Sequence, residues 1–288
     1  VIRDLARQVA EAAADPVQQQ KIDLWTRHND LKPARPMVLI FPEGAWREMG
    51  QAPEMQHRCE DPLARRYEWD LRSRLYYWRH MRDDSVIEPT VFCPHVVRNS
   101  GCGLEARRTN PAEATGACHF EPVLREEADI EKIRIPEVSV DWDATRAQRQ
   151  QVEDLFDGIL EVVPTCGWGG HLGFAPMDQF IMWRGIDQMF LDLVDRPEWV
   201  HRVMQRLLDG RLAELDALEA QGALTLNNRN HYNGSGGVGY TGQLPAEGFD
   251  PARVRLKDLW GMAAAQIFSE VSPAMHEEFA LRYEGQFL

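Results

Sequence analysis

The chain of 288 residues carries 45 acidic against 32 basic side chains, a net charge of −13, with 44% hydrophobic residues and nine tryptophans. That acidic balance argues against a nucleic-acid partner, which needs a basic footprint, and no run approaches the roughly 18 apolar residues of a membrane span. The start is a charged amphipathic stretch rather than a signal peptide, and five scattered cysteines without a Cys-x-x-Cys pair suit reduced thiols in a cytoplasmic chain.

Residues 3–30 read as helical, with Leu5, Val9, Ala12 and Ala13 on one face and Pro16 restarting the run. Residues 36–41 form a continuous apolar run that suits a fully buried strand, and residues 42–47 form a polar and aromatic turn at its carboxyl end. Residues 61–82 read as a helix with Asp61 as N-cap and Pro62 in the first turn; Arg72, Arg74, Arg79 and Arg82 read as a solvated face. A second strand spans 86–97, an irregular insert 98–122, a short bridge 129–136 and a helix 143–159. A third strand at 160–165 runs into a second glycine-rich stretch that contains Trp168 and His171. Helices follow at 177–194 and 197–221, the latter ended by Gly222. Residues 223–226 and 253–259 read as further strands, and Ser272-Pro273 opens a last helix.

Strands alternating with helices indicate an α/β fold with a parallel sheet. The polar, glycine-rich turns follow the strands, which favours a (β/α)8 barrel over a doubly wound sheet. About five strand–helix units are visible, so the barrel is expected to be incomplete, with its last strands beyond Leu288. Residues 1–34 read as an N-terminal helical extension and 35–288 as the barrel.

Residues 225–242, TLNNRNHYNGSGGVGYTG, concentrate Asn, His, Tyr and Gly in one loop with almost no charge. Gly234-Ser235-Gly236-Gly237-Val238-Gly239 matches G-x-G-x-x-G, with Asp258 about 20 residues on. A dinucleotide site needs a helix opening at the last glycine, and Tyr240-Thr241-Gly242-Gln243-Leu244-Pro245 does not suit one. The loop therefore reads as the wall of a binding site.

Several segments together resemble the uroporphyrinogen decarboxylase superfamily. They are Arg35-Pro36-Met37-Val38-Leu39-Ile40-Phe41, Gly173-Phe174-Ala175-Pro176-Met177-Asp178-Gln179-Phe180, Asp195-Arg196-Pro197-Glu198-Trp199-Val200, Ala220-Gln221-Gly222-Ala223, and residues 265–279. The resemblance implies a barrel with its site at the strand carboxyl ends. It includes a methyltransferase branch that exchanges methyl groups with a cobamide, often with zinc. Pro42 and Glu43 stand where the decarboxylase itself carries an Arg-rich loop for substrate carboxylates, so a polycarboxylate would be repelled. The later strands carry no His-x-Cys, and the chain has no Asp-x-His-x-x-Gly pattern. Further zinc ligands are then expected beyond Leu288, and a cobamide would arrive on a separate corrinoid protein.

His231 is the first candidate, as acid/base, hydrogen-bond donor or metal ligand; the alternative is a solvated loop histidine. Glu43, at the end of an apolar run, is a candidate base with a surface turn as alternative, and Asp178 is a candidate proton carrier or a helix N-terminal residue. Trp46, Arg47, Phe174, Met177, Gln179, Asn230, Asn233 and Tyr240 are candidate substrate contacts; for Trp46, Trp168, Phe174 and Tyr240 an aromatic wall competes with ordinary core packing, which is favoured slightly for each. His95, His171 and Cys102 are weaker candidates. The expected function is methyl transfer from a small methylated or methoxylated compound, with a homodimer as the expected assembly. Decarboxylation and a non-catalytic binding barrel are the alternatives.

Overall fold

Aspartate–proline pairs start the first long helices. The Asp15 and Asp61 carboxylates accept the N–H groups of Val17 and Ala64, and Pro16 and Pro62 occupy the first turn, where a missing N–H costs nothing. A computed structural model of the chain describes residues 1–109, 119–167, 172–233 and 237–288. In chain order the helices are α1 (Ile2–Ala13), α2 (Pro16–Asn29), α3 (Trp46–Met49), α4 (Pro62–Tyr76), α5 (Trp142–Phe156), α6 (Pro176–Arg184), α7 (Ile186–Asp195), α8 (Pro197–Ala220), α9 (Pro273–His276) and α10 (Arg282–Phe287). The strands are β1 (Thr90–Pro94), β2 (Val97–Asn99), β3 (Arg107–Thr109), β4 (His119–Glu121), β5 (Val138–Val140), β6 (Glu161–Thr165), β7 (Gly173–Phe174) and β8 (Met262–Ala263).

The expected (β/α)8 barrel is not what forms. Among the described residues the strands pair only two by two, β1 with β6 and β7 with β8 in parallel, β2 with β5 and β3 with β4 antiparallel, and no ring closes. Two apolar runs read as strands explain the error. Residues 36–41 are extended but find no strand partner: the N–H groups of Val38 and Ile40 go to the carboxylates of Asp84 and Asp83, 2.8 and 2.9 Å away. Val38 is 54% and Phe41 47% exposed, so the buried strand expected there is absent. Residues 223–226 bury Ala223 and Leu224 without joining a ladder, and 253–259 coils into a 3-10 turn at Leu256–Asp258. The helix expected over 177–194 is two helices, because Gly185 adopts φ 85° between α6 and α7.

The chain divides into two compact units. Unit 1 is Val1–Val96, Asp141–His171 and Ala223–Trp260; unit 2 is Val97–Val140, Leu172–Gly222 and Gly261–Leu288. In unit 1 the buried stripe of α1 (Leu5, Ala6, Val9, Ala12) joins Leu71 and Leu75 of α4, Val152 and Phe156 of α5, and Val91 and Cys93 of β1. Each fully buried large apolar side chain contributes on the order of 1.5–3 kcal/mol. Residues 2–13 thus contribute to this core. Side chains alternate along β1 and β6, so Phe92, Pro94, Val163 and Thr165 stand on the face opposite Val91, Cys93 and Val162. That second face positions the site.

Unit 1 also corrects the reading of α4. Arg72 is not solvated: it is buried, and its guanidinium donates to Glu68 at 2.7 and 2.9 Å. In unit 2, α6, α7 and α8 bury Trp183, Met189, Trp199 and Met204 together with Phe279 and Tyr283 from the C-terminal turns.

Candidate functional site

The 225–242 loop is pinned from several sides within unit 1. Asn227 uses both ends of its amide, donating to the Trp260 carbonyl at 3.0 Å and accepting the Trp260 N–H at 2.8 Å. Asn233 Nδ2 donates to the Asn227 carbonyl at 2.6 Å, and Trp260 Nε1 donates to the Gly239 carbonyl at 2.9 Å. From α2, Asn29 donates to the Val238 and Tyr240 carbonyls, both at 2.7 Å, and the Asp30 carboxylate accepts from Thr241 Oγ1 and the Gly242 N–H. Asn230 donates to the Val86 carbonyl at 2.9 Å.

Gly239 is required by close approach rather than by phosphate binding. A Cβ there would sit inside the Asn227 carbonyl and 2.5 Å from Asn233 Nδ2. Gly234, Ser235 and Gly236 lie outside the described residues, and no helix opens after Gly239. Gly239→Ala is expected to cost about 1–3 kcal/mol through overpacking against backbone. Thermal melting checks the cost, and amide exchange should accelerate over 227–241 while α1 and α4 keep their protection.

His231 lies within this pinned loop. It is 3% exposed, and its ring stacks on Phe92 with centroids 4.8 Å apart. The solvated alternative is thereby ruled out. Among the described residues neither ring nitrogen has a partner within hydrogen-bond distance, and the same holds for Asn233 Oδ1 and for the Tyr240 hydroxyl, which has Glu88 nearby. Buried polar atoms are almost always paired in folded proteins, so four such atoms in one loop set this loop apart. Burial, reinforced by the Arg229 charge, lowers the His231 pKa to about 4, so the imidazole is neutral near pH 7. Burial and then the neighbouring Glu88 carboxylate push the Tyr240 hydroxyl up, which keeps it protonated. Glu88 is itself buried, and Arg229 offsets its charge through a 3.0 Å bond.

The other candidates in unit 1 occupy the turn after residue 41. Glu43 is exposed, with φ 45°, at the head of a 3-10 turn (Glu43–Ala45), as the surface-turn alternative has it. Trp46 packs into an aromatic cluster with Trp69, Tyr76 and Tyr77 at centroid distances of 5.7 to 6.0 Å. Arg47 is exposed. His95 has a buried Nδ1 without a partner and meets Trp142 edge-on, and burial lowers its pKa, with Arg149 adding to the effect.

Phe174, Met177, Asp178 and Gln179 belong to unit 2 and form a separate group. Met177 is fully buried in the hydrophobic cluster, where it packs rather than faces a ligand. Phe174 packs against Phe287 and, with Gln179 and Cys102, lines a cavity of about 250 Å³. Burial raises the Asp178 pKa, with the Ile267 N–H opposing. Burial also raises Glu284, whose Oε1 has no partner. Trp168, His171 and Cys118 lie outside the described residues.

Zinc does not fit the donor set. His231 brings free nitrogens, but no group of three or more His, Cys, Asp or Glu that could hold a metal occurs among the described residues. No helix of the described residues is long and apolar enough to cross a membrane. The chain matches no family model, no curated protein and no solved structure.

Sequence reasoning missed Glu88, Arg229, Asn227 and Thr165. Glu88 carried a signal, being a lone carboxylate inside an apolar run. Asn227 and Thr165 carried none, because their roles depend on partners 33 residues away for Asn227 and on strand register for Thr165.

Proposed function

We propose that this chain is an enzyme that binds a small, uncharged, methylated or methoxylated compound at the His231 loop and takes part in transfer of its methyl group. The observation that carries the reading is the set of four unpartnered buried atoms, His231 Nδ1 and Nε2, Asn233 Oδ1 and Tyr240 OH, in a loop held by backbone and amide bonds. A neutral imidazole and a protonated phenol offer uncharged donors. Arg229, whose charge reaches His231, is paired with Glu88, which offsets the pull it would exert on a carboxylate. This favours an ether or hydroxyl oxygen over the carboxylates that a decarboxylase must gather.

In this reading His231 and Tyr240 bind and orient the donor, hold N–H and O–H groups against the leaving oxygen, and exclude water from it. The sequence resemblance to the methyltransferase branch of the uroporphyrinogen decarboxylase superfamily supports the reaction type, and a corrinoid protein would be the partner. No step is assigned to zinc, whose ligand set the described residues do not provide.

The test supplies the protein with 4-methoxyphenol and cob(I)alamin and follows methylcobalamin and hydroquinone. Formation of both in equal amounts supports the reading. Carbon dioxide release from carboxylated analogues without cobamide, or no reaction with any methoxylated arene, overturns it.

A further inference from the structure

Thr165 ends β6 and is 0% exposed, yet among the described residues its Oγ1 has no hydrogen-bond partner. A lone buried hydroxyl without a partner is unfavourable, and a strand end accommodates a valine as readily as a threonine. Its backbone is fully engaged in the sheet: the Thr165 carbonyl accepts the His95 N–H at 2.9 Å, and Thr165 is in register with Pro94. The side chain is therefore placed by the ladder and not by a bond of its own.

The register decides which face it stands on. Phe92 pairs with Val163 and Pro94 with Thr165, so Thr165 is one same-face step beyond the Phe92–Val163 pair. That step is roughly 6–7 Å along the strand. Phe92 is the ring on which His231 stacks. The face that carries His231 thus also carries Thr165, at the carboxyl end of a parallel strand pair, where open parallel sheets place their ligands. The opposite face, with Val91 and Cys93, is filled by α1, α4 and α5.

We infer that the Thr165 hydroxyl is a specificity-determining contact of the His231 site and meets a second oxygen on the ligand. This rests on the reading of that site as a binding site for a small uncharged compound. A one-ring molecule with oxygens at both ends matches the step between Phe92 and Thr165. One oxygen is held by His231 and Tyr240, and the other takes the Thr165 hydroxyl as donor or acceptor. A molecule with one oxygen gains nothing from Thr165.

Binding of 4-methoxyphenol and of anisole to the whole chain, measured by ligand-observed NMR, separates the ideas. The wild-type protein is expected to prefer 4-methoxyphenol about tenfold or more, Thr165→Val to lose that preference, and Thr165→Ser to keep it. His231→Leu should weaken both probes. Thr165→Val should melt at or above the wild-type temperature, because it removes a hydroxyl that bonds to nothing in the protein. If His231→Leu weakens both probes but Thr165→Val leaves the preference intact, the Thr165 inference is wrong and the binding-site reading stands. If neither probe binds, or His231→Leu leaves binding unchanged, the reading falls and the inference with it. A clear drop in the melting temperature of Thr165→Val shows a bond within the protein and also overturns the inference.

Discussion

If the protein transfers methyl groups as proposed, His231→Leu is expected to lose that turnover by about 100-fold or more and at the same time to become more stable. The two signs come from one fact. Both ring nitrogens are buried without partners, so the imidazole costs stability that a leucine of similar size would return, about 1–2 kcal/mol. A histidine kept for packing would behave in the opposite way, since its loss would lower the melting temperature. The stability difference should also grow in acid. The unfolded chain protonates this imidazole near 6.5, whereas the folded one resists until about 4, because burial and Arg229 oppose the charge. The wild type therefore loses stability as pH falls from about 6.5 towards 4, and the leucine variant lacks that component. Melting curves at intervals between pH 7 and pH 4 read this directly. A variant that melts lower than wild type at pH 7, or that keeps turnover within threefold, would remove His231 from the site.

Glu68→Gln is expected to cost unit 1 about 3–5 kcal/mol, a fall in melting temperature on the order of 10 °C. The Glu68 carboxylate is fully buried and collects the backbone N–H groups of Arg58 and Cys59, both at 2.9 Å, and the Arg72 guanidinium. Burial pushes its pKa up, but the Cys59 N–H, Arg72 and the Arg58 N–H outweigh it and hold the group at about 2. A glutamine presents an NH2 to donors and leaves the buried Arg72 charge without its counter-ion. Replacing both partners by apolar residues, Glu68→Leu with Arg72→Met, should recover much of the loss, because no charge is then stranded. The depressed carboxyl contributes stability at neutral pH that fades as pH falls from about 4.5 towards 2. Equal damage from the single and double changes would refute the ion-pair account.

Much of the local structure was readable from short-range chemistry. Asp61-Pro62 and Ser272-Pro273 start helices as their side chains and fixed φ dictate, and Gly222, at φ 66°, ends α8. Such signals act within three or four residues and need no distant partner. The apolar runs at 36–41 and 223–226 misled because hydrophobicity calls for burial or extension, and neither creates a neighbouring strand. At 36–41 two aspartates from residues 83 and 84 take the N–H groups that a strand would have taken. Arg72, Arg74, Arg79 and Arg82 looked alike in the sequence, and only the burial of the α4 face that carries Glu68 and Arg72 set Arg72 apart.

The sequence by itself determined the capped helices, the acidic balance of the chain, and the concentration of Asn, His, Tyr and Gly in 225–242. Tertiary structure alone decided that the strands pair in twos, that Asp178, Phe174, Met177 and Gln179 belong to a different unit from His231, and that Thr165 shares a face with Phe92. The physical reason is range. Capping and turn preferences are settled by neighbours in the chain, whereas burial of an imidazole, the pairing of an edge and the register of two strands are settled by residues tens of positions away.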